Sequence, residues 1–329
     1  MRKALALALT VSIAISACDT ESNLNNCDFD EAAMLSNYAD EIIQPRFADL
    51  VTATTLLKGA VDAFVATPTA GLLTEARISY VAAYKQYQRC SSFAFGPGLI
   101  NGSPFRDRFN TFPTDTNFME TSIDAGTDVS ASPQSVVGFP AIDYLLFGTS
   151  AESDQDVLEN FTTGTNASNR AQFLVQLADE LKSTTETIHV GWDSYRSTFT
   201  GNTGTAAGTS ISMIGNEFNR DYEILKNFKF KVPLGKLNGG VVLPEKVEGY
   251  YSGISAELSA EQIEAIRDFY LGVSESGTNG PGLADYLDQH QLPKHGLRFF
   301  FTPAEKAQID KRYELGPIAP PPVPSHQLD

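Results

Sequence analysis

The chain has 329 residues, of which 42% are hydrophobic, with 24 lysine and arginine residues against 40 aspartate and glutamate residues. The formal net charge of −16 argues against a nucleic-acid partner and against an anionic membrane face, because both attract cationic surfaces. Such a charge would instead attract cations or basic partners, and the length permits one large or two ordinary domains with hydrophobic cores.

The N-terminus predicts export. Arg2-Lys3 forms a basic region, and residues 4–15 form an apolar run that is too short to span a bilayer as a stable anchor. The small residues that precede Cys18 resemble the bacterial lipobox, in which the cysteine is lipidated. The sequence therefore predicts a lipoprotein signal peptide over residues 1–17 and a tether over residues 18–29. We expect the lipid on Cys18 to be the membrane attachment.

Apolar residues recur at spacings of three and four along most of the remaining chain, which predicts amphipathic helices and an all-α protein. Pro45 predicts a kink in the first helix. A capping-box pattern at Ser259–Gln262 predicts the start of the fifth helix, and Thr302-Pro303 predicts a later helix start. The five apolar stripes span residues 34–64, 73–87, 173–199, 211–225 and 263–273.

Other stretches lack this periodicity. Residues 96–137 are rich in glycine, proline, asparagine, aspartate and threonine, and residues 200–210 predict a flexible loop between helices. The polar stretch 148–169 is the best candidate for a domain boundary. Alternation typical of strands appears only briefly, at residues 229–232 and 240–243.

The segment from Gly138 to Gly148 reads Gly-Phe-Pro-Ala-Ile-Asp-Tyr-Leu-Leu-Phe-Gly. It resembles the signature of the imelysin family of bacterial envelope proteins, Gly-x-His-x-x-Glu followed by an aliphatic-aromatic run. Gly138 matches the glycine, whereas Pro140 stands at the histidine position and Asp143 at the glutamate position. Two ligands three residues apart on one helix face can hold a single ion. Because proline offers no ligand, we predict no metal site and no catalytic residue here.

Further segments in the family's order extend the resemblance over most of residues 30–290. They are residues 37–40, 76–98, 112–115, 226–227, 232–235 and 244–253. The resemblance implies two packed helical bundles joined by long loops, with the signature at their interface. On this plan an N-terminal bundle covers residues 30–150, a C-terminal bundle covers residues 151–315, and a proline-rich tail covers residues 316–329.

Asp143 is predicted to lie in the first turn of a helix that has Pro140 at its first position, where the free N–H groups stabilise a negative charge. If the bundles pack as the resemblance implies, Asp143 lies at their interface and hydrogen-bonds an arginine, tyrosine or serine of the neighbouring segments. The alternative is an ordinary N-terminal helix carboxylate. The predicted ligand-binding cleft comprises Gly138, Pro140, Asp143, Arg106, Tyr250, Tyr251 and Ser252.

Two clusters leave alternatives open. Arg106-Asp107-Arg108 fits either an anion site or a solvated charge cluster. Ser252 and Ser255 either line a cleft or cap a helix.

The cysteines and histidines give weaker signals. Cys27 and Cys90 remain after the predicted processing, and an oxidising envelope permits a disulfide between them. His189 lies beside the apolar stripe of the third helix, a position more typical of helix packing. His290 and His295 are close in sequence without a third ligand nearby, so a metal site there is disfavoured.

Together these features favour a non-enzymatic, lipid-anchored envelope protein on the periplasmic or outer-membrane face. The resemblance implies a role in iron or haem acquisition with an envelope transport partner. We expect no resident cofactor, and the ligand is a small molecule, haem, a metal or a peptide. The alternatives are a metal-dependent peptidase of the imelysin type, which would need metal ligands and a general base, and a structural or adhesive lipoprotein.

Overall fold

The computed structural model describes residues 29–149 and 151–290, and this part of the chain is all-α, as predicted. No helix of the described residues is long and apolar enough to cross a membrane. The helices are α1 (Glu31–Asn37), α2 (Gln44–Ala66), α3 (Ala70–Cys90), α4 (Arg106–Phe109), α5 (Thr116–Asp124), α6 (Phe139–Phe147), α7 (Asp154–Asn160), α8 (Ala167–Gly201), α9 (Ser210–Glu223), α10 (Ser255–Leu271) and α11 (Leu283–Gln289).

The predicted kink at Pro45 takes the form of a change in helix type. A π-helical segment, Tyr38–Ile43, joins α1 to α2, and Pro45 is the second residue of α2. Proline lacks an N–H donor and its ring crowds the carbonyl of the preceding turn, so the regular hydrogen-bond ladder cannot pass through it unchanged. The irregularity therefore falls in the turn before the proline.

Helices from both sides of residue 150 share one hydrophobic core. The 35-residue helix α8 packs along α2, and α10 packs on α3. Trp192 of α8 is fully buried, with its ring edge-on to Phe95 and Phe199 at centroid distances of 5.8 and 5.3 Å. The division into two bundles at this residue stays a prediction.

The predicted start of the fifth helix is wrong by one turn. Helix α10 begins at Ser255, and Ser259 is a buried residue in its interior. The side chain that would have completed the capping box, Gln262, donates instead to Asp221 on α9 at 2.8 Å. A tertiary partner has replaced the local cap.

The brief strand-like alternation at residues 229–232 and 240–243 does not form strands, in agreement with the predicted all-α class. A π-helical segment, Ile224–Lys231, follows α9 directly, and turns follow it. The two observed strands, Leu99–Ile100 and Ser103–Pro104, pair around Asn101-Gly102, where both residues have positive φ. Asn-Gly is the preferred sequence for such a tight hairpin turn.

The predicted boundary stretch contains more structure than its composition suggested. The stretch 148–169 contains α7, which a capping box at Ser153 opens, and the start of α8. The loop at residues 200–210 lies between α8 and α9 as predicted. Predictions for Cys18, Cys27, His295, Thr302 and the tail fall outside the described residues.

Candidate functional site

The signature segment begins with a glycine that no other residue could replace. Gly138 has φ of +77°, and a Cβ there would lie 2.3 Å from the carbonyl oxygen of Arg108 and 2.4 Å from that of Phe109. Helix α6 starts immediately afterwards at Phe139, so Pro140 occupies the second helical position and not the predicted first one. Asp143 is the fifth residue of the helix and lies beyond the predicted first turn. The close approach of the two backbones fixes where the first turn of α6 points.

The carboxylate of Asp143 is buried, with 1% of the residue exposed, and backbone groups hold it. The N–H of Tyr251 donates to Oδ2 at 2.9 Å, and the N–H of Ser252 donates to Oδ1 at 3.2 Å. Burial raises the pKa of Asp143 from 3.8 to about 6, against the opposing effect of hydrogen bonds from Ser252, Tyr251 and Tyr80. No cation compensates the charge in these contacts.

Buried tyrosines of α3 surround this carboxylate. The hydroxyl of Tyr80 donates to the carbonyl of Phe139 at 3.3 Å, and the ring of Tyr84 stacks on Phe139 with a centroid distance of 4.6 Å. Burial and the nearby acidic groups raise the pKa of both tyrosines well above 10. Both phenols therefore stay neutral at physiological pH.

The predicted proximity of Asp143 to the segment Tyr250-Tyr251-Ser252 is confirmed by these hydrogen bonds. Arg106 does not join them. Its guanidinium is buried and pairs with Glu217 of α9 at 2.5 Å. Since Arg108 also pairs with an acidic residue, on α8, the two arginines do not form a solvated charge cluster.

The surroundings of Asp143 do not provide the ligand set of a metal site among the described residues. The cavity there measures about 10 Å³, close to the volume that one water molecule needs, and Pro140, Glu245 and Tyr250 are among its lining residues. Both carboxylate oxygens already accept backbone N–H groups. The described residues contain no group of three or more histidine, cysteine, aspartate or glutamate side chains arranged to hold a metal.

A second buried carboxylate, Glu248, lies in a connected polar network. Lys229 approaches its Oε2 at 2.6 Å, and Gln88 and Asn110 donate to its Oε1 at 2.9 and 2.6 Å. The hydroxyl of Tyr84 donates to Asn110 at 2.5 Å, so the tyrosines beside Asp143 also connect to this network. The ammonium of Lys229 compensates the charge of Glu248.

Asp221 of α9 is the third buried carboxylate. Ser91 and Ser92 donate to its Oδ2 at 2.9 and 2.7 Å, and Gln262 donates to its Oδ1 at 2.8 Å. Burial raises the pKa of Asp221, against the opposing effect of the serines and of Lys229.

An open cleft of about 270 Å³ reaches these polar groups. Two of its lining residues, Arg106 and Gln262, each carry a buried polar atom, Nε and Oε1 respectively, without a hydrogen-bond partner in the described part of the chain. The aromatic residues that line the cleft are Tyr87, Phe112 and Phe228. Buried polar atoms normally have partners, so a donor and an acceptor left unsatisfied at one cleft indicate a ligand site.

Sequence reasoning missed most of this cleft. Asp221 and Lys229 lie on a stretch whose sequence signal is apolar spacing, and the local pattern around Gln262 predicts a helix cap. Glu248 belongs to a segment that resembles the family, yet two of its partners, Gln88 and Asn110, lie 160 and 138 residues away in the chain. No local spacing could have identified those contacts.

The remaining predicted residues occupy less informative positions. His189 is half-buried on α8, and the ring of His290 packs on Tyr286 at the end of α11. Cys90 is buried, with Sγ 3.4 Å from the carbonyl oxygen of Arg46. Its pairing with Cys27 stays a prediction. Ser255 is the first residue of α10.

A larger cavity of about 610 Å³ lies between the hairpin and α8. Its arginine, Arg108, is already bound bidentately by Glu180 and also donates to backbone carbonyls. None of the side-chain atoms lacking partners in the described residues belongs to its lining. We therefore regard the smaller cleft as the candidate site.

Comparison with known proteins agrees with this architecture. The family model described as Imelysin, a peptidase family, matches residues 43–297. Iron-regulated protein A of Synechococcus elongatus is 27% identical over 166 residues, which is 50% of this chain and 44% of that protein. The match thus spans less than half of this curated relative.

Two crystal structures share the fold. One, described as an iron-regulated protein A precursor from Parabacteroides distasonis, has a TM-score of 0.62 at 20% identity, covering 87% of this chain and 84% of that one. An imelysin-like protein from Psychrobacter arcticum has a TM-score of 0.56 at 13% identity, covering 72% and 73%.

Proposed function

This chain belongs to the imelysin family, and on that premise we propose that it is an iron-related envelope protein that binds a small polar ligand without cleaving it. The observation that carries the proposal is the cleft of about 270 Å³ lined by Arg106 and Gln262, two residues that each hold a buried polar atom without a partner among the described residues. The name of the Synechococcus relative, iron-regulated protein A, supports the link to iron.

The chemistry of the cleft restricts the ligand. Nε of Arg106 is a donor that prefers an acceptor with negative charge, and Oε1 of Gln262 accepts a hydrogen bond. Tyr87, Phe112 and Phe228 offer apolar contact to the rest of the molecule. Since the volume falls just below the range of roughly 300–1,000 Å³ for drug-sized ligands, a small carboxylate or the end of a larger ligand fits best. Carboxylate oxygens are also suitable ligands for hard metal ions, which is consistent with an iron-related role.

A non-catalytic role follows from the signature position. Metal-assisted hydrolysis needs an ion that activates water, together with ligands that hold it. Pro140 supplies no ligand, and the backbone N–H groups of Tyr251 and Ser252 each donate to one oxygen of Asp143. These residues therefore support a rigid contact between α6 and the segment at 250–252.

We also propose that lipid on Cys18 anchors the protein at the envelope, which the order of basic, apolar and small residues before that cysteine supports. The substitution Cys18→Ala in the native host tests the anchor by membrane fractionation. Unchanged membrane association would contradict it.

The ligand proposal is tested by thermal unfolding with citrate, ferric citrate, haem and a short peptide as probes. We expect citrate or its ferric complex to raise the melting temperature, because a ligand that binds only the folded state stabilises it. Gln262→Leu removes the unpartnered acceptor at similar volume and should weaken binding about tenfold, since one hydrogen bond to a buried group contributes about 1–3 kcal/mol.

Gln134→Leu is the matched control, because Gln134 is exposed and lies at the other cavity. This variant should bind the probe as the unmodified chain does. No shift with any probe, or equal binding by Gln262→Leu, would contradict the proposal. Chelator-sensitive cleavage of a protein substrate that Asp143→Ala abolishes would instead identify a peptidase.

A further inference from the structure

Exposed apolar side chains are concentrated in residues 226–246, which we call the basic apolar segment. Thirteen large apolar side chains are well exposed in the described part of the chain, and six of them lie within this short stretch. An exposed apolar surface of this density marks an interaction site on a protein that is otherwise polar outside. The six are Phe228, Phe230, Leu234, Leu237, Val241 and Val242.

The charge of the segment is opposite to that of the rest of the molecule. Residues 226–246 hold five lysines and one glutamate, whereas the rest of the chain holds 19 of the 24 basic and 39 of the 40 acidic residues. Two of the lysines pair with glutamates. The other three, Lys231, Lys236 and Lys246, make no ion pair among the described residues. An anionic surface would therefore be attracted to this segment and repelled by the remainder.

Backbone hydrogen bonds hold the exposed loop in one shape. The N–H of Leu243 donates to the carbonyl of Pro233 at 2.9 Å, which closes the loop. Gly235 has φ of +75°, and a Cβ there would lie 2.6 Å from the carbonyl oxygen of Val241. Because its backbone is already ordered, the loop presents its apolar side chains at little entropic cost on binding.

We propose that the basic apolar segment docks on an anionic phospholipid surface. Protein interfaces are depleted in lysine and enriched in arginine, tyrosine and tryptophan, and residues 226–246 contain none of these last three. Phenylalanine and leucine together with lysine are the composition of segments that lie in the headgroup region. The lysines meet the headgroup phosphates while the apolar side chains enter the boundary of the acyl chains.

Docking of this kind would orient the ligand cleft. Phe228 belongs to the exposed apolar set and also lines the cleft. With the segment on the lipid surface, the cleft opens beside the membrane. The proposal needs neither acylation of Cys18 nor an occupied cleft, so it stands or fails separately from the proposed function.

The test is co-sedimentation with phospholipid vesicles, using the chain from Asp19 onward. This chain retains every described residue and lacks the predicted acylation site. We expect binding to vesicles that contain phosphatidylglycerol and none to vesicles of phosphatidylcholine alone. Replacing Lys231, Lys236 and Lys246 with glutamine should weaken binding on the order of 100-fold, at about fivefold for each lysine near an anionic surface.

Apolar variants separate insertion from simple charge attraction. Leu234→Ser with Leu237→Ser should weaken vesicle binding at both low and high salt. The weakening caused by replacing the three lysines should disappear at high salt, because salt ions screen the attraction between lysine and phospholipid. Ile78→Ser with Val190→Ser is the matched control, since these residues are equally exposed elsewhere, at 64% and 65%. The proposal is overturned by absent vesicle binding, by equal binding to both vesicle types, or by an unaffected lysine variant. Capture of an acidic soluble protein in the absence of vesicle binding would assign the segment to a protein partner.

Discussion

Asp143 and Glu248 are both buried carboxylates, but they are stabilised in different ways. Asp143 is held by the N–H groups of Tyr251 and Ser252 without a cation, in a space of about 10 Å³. Glu248 is held by Lys229 at 2.6 Å within a network that borders an open cleft of about 270 Å³. One site has no room for a ligand, whereas the other adjoins unsatisfied polar atoms.

This difference separates a backbone contact that holds the signature segment in place from a polar network that borders a ligand-sized cleft. Backbone N–H groups stabilise an anion only partly, so the pKa of Asp143 remains raised. The contact still fixes α6 against a segment more than 100 residues later in the chain. We infer that the signature position now acts structurally and that ligand binding depends on the neighbouring polar network.

The largest effect should come from leaving Glu248 without its cation. Lys229→Met removes the ammonium and leaves a carboxylate that is fully buried, at 0% exposure. Breaking one side of a buried ion pair costs about 3–5 kcal/mol, because the remaining charge is uncompensated. We expect a loss of this size in the free energy of unfolding, measured with urea.

The control is Lys182→Met, which breaks an exposed pair with Glu186 one helical turn away on α8. Exposed pairs of this kind contribute about 0.3–0.5 kcal/mol, so the loss should be small. Adding Glu248→Gln to Lys229→Met should recover part of the stability, since no charge then remains buried. If both lysine variants lose the same free energy of unfolding, the ion pair at Glu248 contributes no more to stability than a surface pair does.

The next effect depends on pH and comes from Asp143. Its pKa is raised from 3.8 to about 6, so between these values the folded protein binds more protons than the unfolded chain. Stability must then fall as pH rises from about 4 to about 6, by roughly 3 kcal/mol for a shift of this size. Asp143→Asn cannot ionise, and its unfolding free energy should lack this decrease.

The comparison requires urea unfolding of both proteins at several pH values in this window. Asp128→Asn is the control. Asp128 is exposed, and hydrogen bonds from Ser130 lower its pKa, so its contribution changes only below the window. This variant should keep the pH dependence of the unmodified chain. If Asp143→Asn also keeps this pH dependence of the unfolding free energy, a group other than Asp143 causes it.

The sequence predicted the helices well because each helix follows from local spacing. All six residues of the stripe from Leu73 to Tyr87 are buried on α3, as the three- and four-residue repeat requires. The contact between Asp143 and Tyr251 was also predicted, but only through the family resemblance. The network around Glu248 could not be predicted, because Gln88, Asn110 and Lys229 come from separate elements that only the tertiary fold brings together.

The smallest effect concerns the lost signature residue. Pro140→His introduces the histidine of the family signature at a buried position beside a cavity of about 10 Å³. A larger side chain in such a site should cost about 1–3 kcal/mol through overpacking. We also expect no bound zinc after equilibrium dialysis, because an imidazole and the carboxylate of Asp143 supply only two of the three or four protein ligands of a zinc site.

The decisive comparison is the double variant Pro140→His with Asp143→Glu, which carries both the histidine and the glutamate of the signature. The longer glutamate must displace the N–H groups of Tyr251 and Ser252 before it can bind a metal, and leaving them buried without an acceptor is unfavourable. We therefore expect the double variant to remain free of zinc as well. One zinc per chain retained by it would show that the pair of residues alone, and not the surrounding backbone, determines whether this position binds metal.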